Sequence, residues 1–288
     1  MNGAESLIRS FTAAGVNVCF ANPGTSEMHL VQAIDAVPEM RAVLSLFEGV
    51  CTGAADGFGR MTGMPATTLL HLGPGLGNGI ANLHNARRAS TPVINLIGNH
   101  AHYHVGYDAP LTSDIDTLAK NVSSWVKGDS TASSLATDGM LALQSALTAK
   151  PGSAGQISTM IIPADACWNE NGAVAPFIVA PERSKVDDKV VVEVAQLLDS
   201  NSMILIDSDG LSVDARIAAN RISQKTGCRV SMTPFPARVD GGAGMPGCER
   251  LPYFPEQVMA ALAGVEKLIL AGADSPVSFF AYPNTPSV

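Results

Sequence analysis

The feature that most constrains the fold of this chain is a repeated alternation of strand-length apolar runs and helical patterns. Short connections separate the runs, and each run is continuously apolar. Strands without polar alternation are buried on both faces, which is typical of a parallel sheet covered by helices. We therefore predict an α/β fold for residues 1–170, with helices on both faces of the sheet. The predicted strands are 16–20, 41–47, 66–70, 92–97 and 157–162.

Helical patterns fill the intervals between these strands. The side chain of Asn2 is placed to cap the first helix, and Thr25 or Ser26 is placed to cap the second. The last helix ends with a turn at Lys150 before Pro151. Residues 98–128 are less regular. The predicted helices are 3–14, 26–36, 48–61, 76–89 and 130–149.

A second alternation of strands and helices begins after a linker at residues 171–186, which contains glycine and prolines typical of a connection. Strands are predicted at 202–206, 228–232 and 267–270, with a stretch rich in glycine and proline at 234–255. We expect this second α/β unit, residues 187–288, to be incomplete, because the sequence ends at Val288 soon after its last strand.

Composition and charge exclude several classes of protein. The net charge of −8 and the scattered basic residues argue against nucleic-acid binding, which needs basic surface. No apolar run reaches the ~18 residues of a membrane span, and Glu5 and Arg9 in the first apolar stretch argue against a signal peptide. The five cysteines are widely spaced, which predicts reduced thiols in a cytoplasmic protein and neither disulfides nor a zinc site.

Two titratable side chains follow predicted strands at positions suited to catalysis. Glu48 comes directly after the strand 41–47, and His71 comes directly after the strand 66–70. The carboxyl ends of parallel strands share one edge of the sheet, where ligands bind in open α/β folds. The alternative interpretation is that Glu48 favours a helix dipole, worth ~0.3–1 kcal/mol. Because small residues around Glu48 would leave it poorly solvated, we favour a functional acid that needs a proton or a partner.

Two other patterns in the sequence are weaker indications of function. The glycine turn 73–78 has Asn78 where the third glycine of a dinucleotide fingerprint should stand, which disfavours a nicotinamide-dependent oxidoreductase. His100, His102 and His104 alternate along a loop without a carboxylate or cysteine at ligand spacing, so no metal site is predicted.

Three runs together resemble the thiamine-diphosphate-dependent decarboxylases and synthases, especially benzoylformate decarboxylase and the acetolactate synthase large subunit. The resemblance is dense over residues 3–165 and looser over 187–282. It implies a pyrimidine-binding domain at 1–170, the start of a middle domain at 187–288, and the absence of the diphosphate-binding domain. The runs are Gly15 to Glu27, Glu48-Gly49 with Ala54 to Phe58, and His71 to Asn78.

The resemblance also implies roles for individual residues. Glu48 would hydrogen-bond the pyrimidine N1′ of thiamine diphosphate and so activate the cofactor, and His71 would handle protons or the substrate carboxylate. Thr25 would lie near the substrate, as would Phe280, which falls at or near a position where benzoylformate decarboxylase has a histidine. Pro23, Gly24 and Asn78 would contact the cofactor.

Further consequences of the resemblance concern cofactors and partners. Mg²⁺ would be held with the diphosphate by the domain missing from this chain, and FAD is not predicted. The implied enzyme is a lyase or carboligase acting on a 2-oxo acid, and the specific substrate stays open. The alternative is a non-catalytic fragment that acts as a dimerisation or interaction module.

The same resemblance implies a homodimer or homotetramer. The helix 48–61 carries a stripe of small residues, Gly49, Gly53 and Gly57, which suggests burial by close contact near a two-fold axis. Burial of this stripe inside a single domain is the alternative interpretation.

Overall fold

The computed structural model describes residues 1–149, 153–182 and 185–288. The chain divides into two compact units. The first comprises Met1–Ala149 with Ala154–Glu182, and the second contains residues 185–288. The helical turn predicted at Lys150, and residues 183 and 184 of the predicted linker, lie outside the described residues. In the part of the chain that is described, no helix is long and apolar enough to cross a membrane.

The first unit is built on a six-stranded parallel sheet in the order β2-β1-β3-β4-β6-β5. This arrangement confirms the predicted α/β class. The strands are β1 (Val18–Asn22), β2 (Arg41–Leu44), β3 (Ala66–Leu70), β4 (Val93–Asn99), β5 (Trp125–Lys127) and β6 (Ile157–Pro163).

Helices cover both faces of this sheet. Leu69 and Leu70, adjacent on β3, belong to different apolar cores, because successive strand side chains point to opposite faces. One core packs α1, α2, α6 and α7 on the sheet, and the other packs α3, α4 and α5. The helices are α1 (Gly3–Ala13), α2 (Met28–Ala36), α3 (Glu48–Thr62), α4 (Leu72–Arg88), α5 (Ile115–Lys120), α6 (Leu135–Leu147) and α7 (Ala164–Trp168).

The first two strands differ from their predicted limits. Asn2 caps α1 as predicted, with its Oδ1 accepting from the Glu5 amide at 2.9 Å. Val16 then donates its amide to the Phe11 carbonyl and closes the end of that helix, so β1 begins only at Val18. The predicted buried strand 41–47 was wrong in length and burial. It ends at Leu44, and it is exposed because it pairs with β1 alone at the sheet edge.

The predicted glycine turn at 73–78 is also wrong, because α4 begins at Leu72 and includes it. The glycines serve packing. A Cβ on Gly73 would overlap the Ser113 side chain, and one on Gly75 would lie 3.3 Å from the Leu70 carbonyl carbon. These close approaches explain why glycines occupy a helical segment where their propensity is poor.

Two of the three glycines in the small-residue stripe of α3, Gly49 and Gly53, face α4 of the same chain. A Cβ on Gly49 would lie 3.4 Å from the Asn78 carbonyl oxygen, and one on Gly53 would lie 3.0 Å from Asn82 Nδ2. Asn82 also donates to the Gly49 carbonyl at 2.6 Å. Gly49 and Gly53 thus pack within one domain, whereas Gly57 is exposed and a Cβ there would meet no described atom within 4 Å, so the stripe is only partly buried.

Residues 98–128 contain more regular structure than predicted, namely α5 and the short strand β5 at the end of the sheet. Likewise α6 starts at Leu135 and not at residue 130. Ser130 instead donates to the Asp138 carboxylate at 2.8 Å, which anchors the preceding loop to the helix.

The second unit has a four-stranded parallel sheet in the order β10-β7-β8-β9. The short strand β9 lies within the stretch predicted as irregular, and it pairs beside Met232. The elements are α8 (Asp188–Leu197), β7 (Ser202–Ile206), α9 (Val213–Thr226), β8 (Arg229–Met232), β9 (Glu249–Arg250), α10 (Pro255–Leu262) and β10 (Lys267–Ala271).

Candidate active site

Polar side chains follow the carboxyl ends of neighbouring strands in the first unit. Glu48 follows β2, the segment from Pro23 to Glu27 follows β1, and His71 follows β3. The strand order β2-β1-β3 places the middle segment between the other two. The two predicted catalytic residues therefore share one edge of the sheet, as expected for parallel strands, but each has its own partner.

Glu48 is the first residue of α3 and is half-buried. Its Oε2 accepts a hydrogen bond of 3.0 Å from Nδ2 of Asn78 on α4. The loop before it is fixed by Asn22, whose amide donates to the Ser45 carbonyl at 2.8 Å. The acid thus has a polar partner, and among the described residues this partner engages only one of its two carboxylate oxygens.

The close approach of α3 and α4 sets the Glu48–Asn78 pair. The Thr52 hydroxyl donates across the two helices to the Gly79 carbonyl at 3.0 Å. A Cβ on Gly79 would lie 2.9 Å from Thr52 Cγ2, so a larger residue would push the helices apart. Asn78 can reach Glu48 because this packing is tight, which explains the small residues around both side chains.

His71 directly precedes α4, and its imidazole is held from one side. Its Nδ1 lies 2.7 Å from Oε2 of Glu27, and that oxygen also accepts from the Gly24 amide at 2.7 Å. A Cβ on Gly24 would overlap the imidazole ring, so the ring packs directly on this glycine. Gly24, predicted as a cofactor contact, is therefore also a contact of His71.

Glu27 is a residue that the sequence did not single out. Its side chain is completely buried, and burial raises the pKa of its carboxyl group, although hydrogen bonds from Gly24 and His71 act in the opposite direction. The signal that could have found it is an acid three residues after Gly24 in the connection that follows a buried strand.

The remaining predicted site residues lie in different surroundings. Pro23 is half-buried and Thr25 is exposed at the start of a short 3-10 turn. Phe280 belongs to the second unit, where its ring lies 4.8 Å from that of Phe279 and 5.3 Å from that of Tyr253, between ring centroids. These aromatic rings follow the carboxyl ends of β9 and β10.

Two of the three histidines of the loop after β4 make side-chain hydrogen bonds, and the ring centroid of the third, His104, lies 5.5 Å from that of His100 and 5.9 Å from that of Tyr107. Nδ1 of His102 lies 3.0 Å from each oxygen of the Asp165 carboxylate. Nε2 of His100 lies 3.1 Å from the Pro110 carbonyl oxygen. Over residues 1–149, 153–182 and 185–288, no three His, Cys, Asp or Glu side chains are grouped as metal ligands.

The acceptor at the start of α3 fits the pyrimidine end of thiamine diphosphate. A pyrimidine ring nitrogen that carries a proton needs a carboxylate acceptor, and Glu48 presents one at the exposed carboxyl edge with Oε2 fixed by Asn78. The described residues therefore suit the part of the cofactor site that the resemblance assigned to them.

The chain is similar to known proteins along its whole length. The family model of the thiamine pyrophosphate enzyme, N-terminal TPP binding domain, matches residues 1–121. A Mycobacterium tuberculosis protein named "Putative acetolactate synthase large subunit IlvX" is 52% identical over all of this chain and 55% of its own length. Benzoylformate decarboxylase of Pseudomonas aeruginosa is 34% identical over 38% of this chain and 21% of its own length.

Solved structures agree on the fold. The thiamine diphosphate-dependent 4-hydroxybenzoylformate decarboxylase of Rhodococcus jostii RHA1 superposes with a TM-score of 0.82 at 22% identity, over 98% of this chain and 53% of that one. The chain thus spans about half the length of the relatives that it matches end to end. These findings confirm the resemblance seen in the sequence: residues 1–121 match the N-terminal TPP binding domain of the thiamine pyrophosphate enzymes.

Proposed function

We propose that this chain supplies the pyrimidine-activating half of the site in a thiamine-diphosphate-dependent lyase or carboligase that acts on a 2-oxo acid. The observation that carries the proposal is the Glu48 carboxylate, held at the start of α3 by Asn78 with one oxygen left for a donor. The names of the relatives, acetolactate synthase and benzoylformate decarboxylase, support this class of reaction.

In this proposal the residues have separate tasks. Glu48 would share a proton with the pyrimidine N1′, Asn78 fixes the carboxylate, and Pro23 with Gly24 lines the cofactor site. When bound, thiamine diphosphate supplies the electron sink for loss of the carboxylate of a 2-oxo acid. His71 binds that carboxylate or moves a proton. Residues 1–170 form the pyrimidine-binding domain and residues 187–288 begin the middle domain.

Two further assignments concern Mg²⁺ and the substrate. Mg²⁺ would bind with the diphosphate through a domain outside this chain. Thr25 and Phe280 would contact the substrate. Phe280 lies among aromatic side chains, which suits an apolar substituent on the 2-oxo acid.

Calorimetric titration separates this proposal from a purely structural module. We expect the 288-residue chain alone to show no micromolar binding of thiamine diphosphate with Mg²⁺, because in this proposal its residues hold only the pyrimidine end of the cofactor. The full-length enzyme, meaning this chain with the second half that its relatives carry, is expected to bind it. If the full-length protein also fails to bind, the chain acts as an interaction module and the proposed function is wrong.

We also propose a homodimer, which can pair further into a homotetramer, formed through the surface around the β2 edge. Large apolar side chains are exposed there, with Leu46 95% and Leu44 73% exposed, beside Phe47 and Val50. Contiguous exposed apolar surface of this kind marks an interaction site. This surface supports the association more directly than the glycine stripe of α3, of which Gly49 and Gly53 pack against α4.

Sedimentation of the isolated chain tests the dimer. We expect a dimer at tens of micromolar, and Leu46→Asp should shift it to monomer because a charge would be buried in the contact. Val179→Asp, at a site 73% exposed elsewhere in the first unit, should leave the dimer intact. A monomeric wild-type chain, or equal effects of the two substitutions, would contradict the proposed contact.

We also propose that the protein is cytoplasmic. The five cysteines, all within the described residues, are free thiols, and four of them are buried. Free thiols persist in a reducing compartment, which supports this location.

A further inference from the structure

Glu27 is an ionisable side chain that the proposed chemistry does not yet use. It is fully buried, and its Oε1 has no hydrogen-bond partner among the described residues. A carboxylate out of contact with water destabilises the fold unless it is well paired. Its other oxygen, Oε2, has both of the partners described above, the Gly24 amide and Nδ1 of His71, each at 2.7 Å.

The surroundings of Glu27 are shaped to admit its carboxyl group. Gly98, on β4, leaves room that any side chain would fill, because a Cβ there would overlap Oε1. The thiol of Cys167 on α7 is near enough to interact electrostatically with the carboxyl group. Its own burial and the nearby Glu27 and Asp165 carboxylates raise the pKa of this thiol to about 12, so it stays neutral. His71 is therefore the group that pairs with Glu27.

The pairing decides which nitrogen of His71 can reach a ligand. The backbone amide of Gly24 can only donate, so Oε2 acts as an acceptor there, and an ionised Oε2 accepts from Nδ1–H as well. Nδ1 is engaged by the buried Glu27. Nε2 is therefore the ring nitrogen that can reach a ligand, because the His71 side chain is 23% exposed. A carboxylate bonded to one ring nitrogen fixes both the tautomer and the ring orientation.

We propose that Glu27 is the positioning residue of His71. It holds the neutral ring in the Nδ1–H tautomer and presents Nε2 to the ligand. The inference deepens the proposed function and rests on it for the identity of that ligand, a 2-oxo acid. Neutral Nε2 accepts a proton, and protonated Nε2–H donates to the substrate carboxylate. Glycine is then required at positions 24 and 98, because a Cβ on Gly24 would overlap the His71 ring and a Cβ on Gly98 would overlap the Glu27 carboxyl group.

Nitrogen-15 NMR of the imidazoles tests the proposal on the 288-residue chain without cofactor. His71→Gln assigns the signals by their loss. In the wild-type chain above the titration range, we expect His71 to carry its proton on Nδ1, with that proton protected from solvent exchange. In Glu27→Leu the Nδ1–H signal should be lost and the proton should move mainly to Nε2. Gly98→Ala, which displaces the carboxyl group without removing it, should have the same effect.

A matched control comes from the second acid–histidine pair. Asp165→Asn removes the partner of the exposed His102 and should alter its signals alone. A wild-type His71 protonated on Nε2, or an unchanged tautomer in folded Glu27→Leu, would overturn the proposal. This readout involves no thiamine diphosphate, so failure of the proposed function would leave it intact, and failure here would leave the role of Glu48 intact.

Discussion

Glu48→Gln in the full-length enzyme is expected to slow exchange of the C2 proton of bound thiamine diphosphate by about 10²–10⁴-fold, the usual contribution of a positioned acid or base. A glutamine amide keeps the size of the side chain and can still accept from Asn78. It cannot hold the proton that N1′ shares with a carboxylate. The measurement is hydrogen–deuterium exchange at C2, followed by NMR after rapid quenching, with the cofactor saturating.

The alternative role of Glu48, a favourable charge at the start of a helix, has its own control. Glu256 lies in the first turn of α10, so Glu256→Gln removes a comparable dipole interaction, worth about 0.3–1 kcal/mol. We expect both variants to fold with similar stability and only Glu48→Gln to lose exchange. Normal exchange in Glu48→Gln with bound cofactor would refute the assigned role.

Asp56→Ala is expected to lower the free energy of unfolding by about 3 kcal/mol, because it breaks a largely buried ion pair. The Asp56 carboxylate accepts from Arg60 Nε at 2.8 Å and Nη2 at 2.6 Å, and from the Thr91 hydroxyl at 2.7 Å. Two charge-assisted bonds in a bidentate arrangement are the strong kind. Urea unfolding of the chain, followed by circular dichroism, measures the loss.

The pair Asp116–Lys120 offers a control with the same spacing along a helix. Its side chains are 51% and 66% exposed, against 11% and 26% for Asp56 and Arg60. Asp116→Ala should leave the unfolding midpoint almost unchanged, since solvent screens exposed pairs. Equal effects of the two substitutions would show that the burial of Asp56 does not matter.

Asp56 is a residue of the family motif whose contacts are structural. It stands in the run from Ala54 to Phe58 that helped to identify the family, yet its partners are Arg60 and Thr91, both in structural positions. Thr91 precedes β4, so Asp56 fastens α3 to the start of that strand. In this motif region it is Glu48 whose side chain hydrogen-bonds Asn78, a residue proposed to bind cofactor.

The sequence by itself determined the class of fold and the edge that carries the candidate site. Continuously apolar strands alternating with helices require a parallel sheet buried on both faces. In such a sheet every strand points the same way, so residues that follow strands, such as Glu48 and His71, must share one edge. That inference needed only local pattern and chain direction.

Only the tertiary structure decided which side chains meet at that edge. The order β2-β1-β3 inserts the segment after β1 between Glu48 and His71, so His71 pairs with Glu27 and Glu48 pairs with Asn78. Strand order and helix packing depend on contacts between residues far apart in the chain. For the same reason only the structure shows that Gly49 and Gly53 of α3 pack against α4 and that β2 is exposed at the sheet edge. A local pattern indicates an apolar segment but does not identify the partner that would bury it.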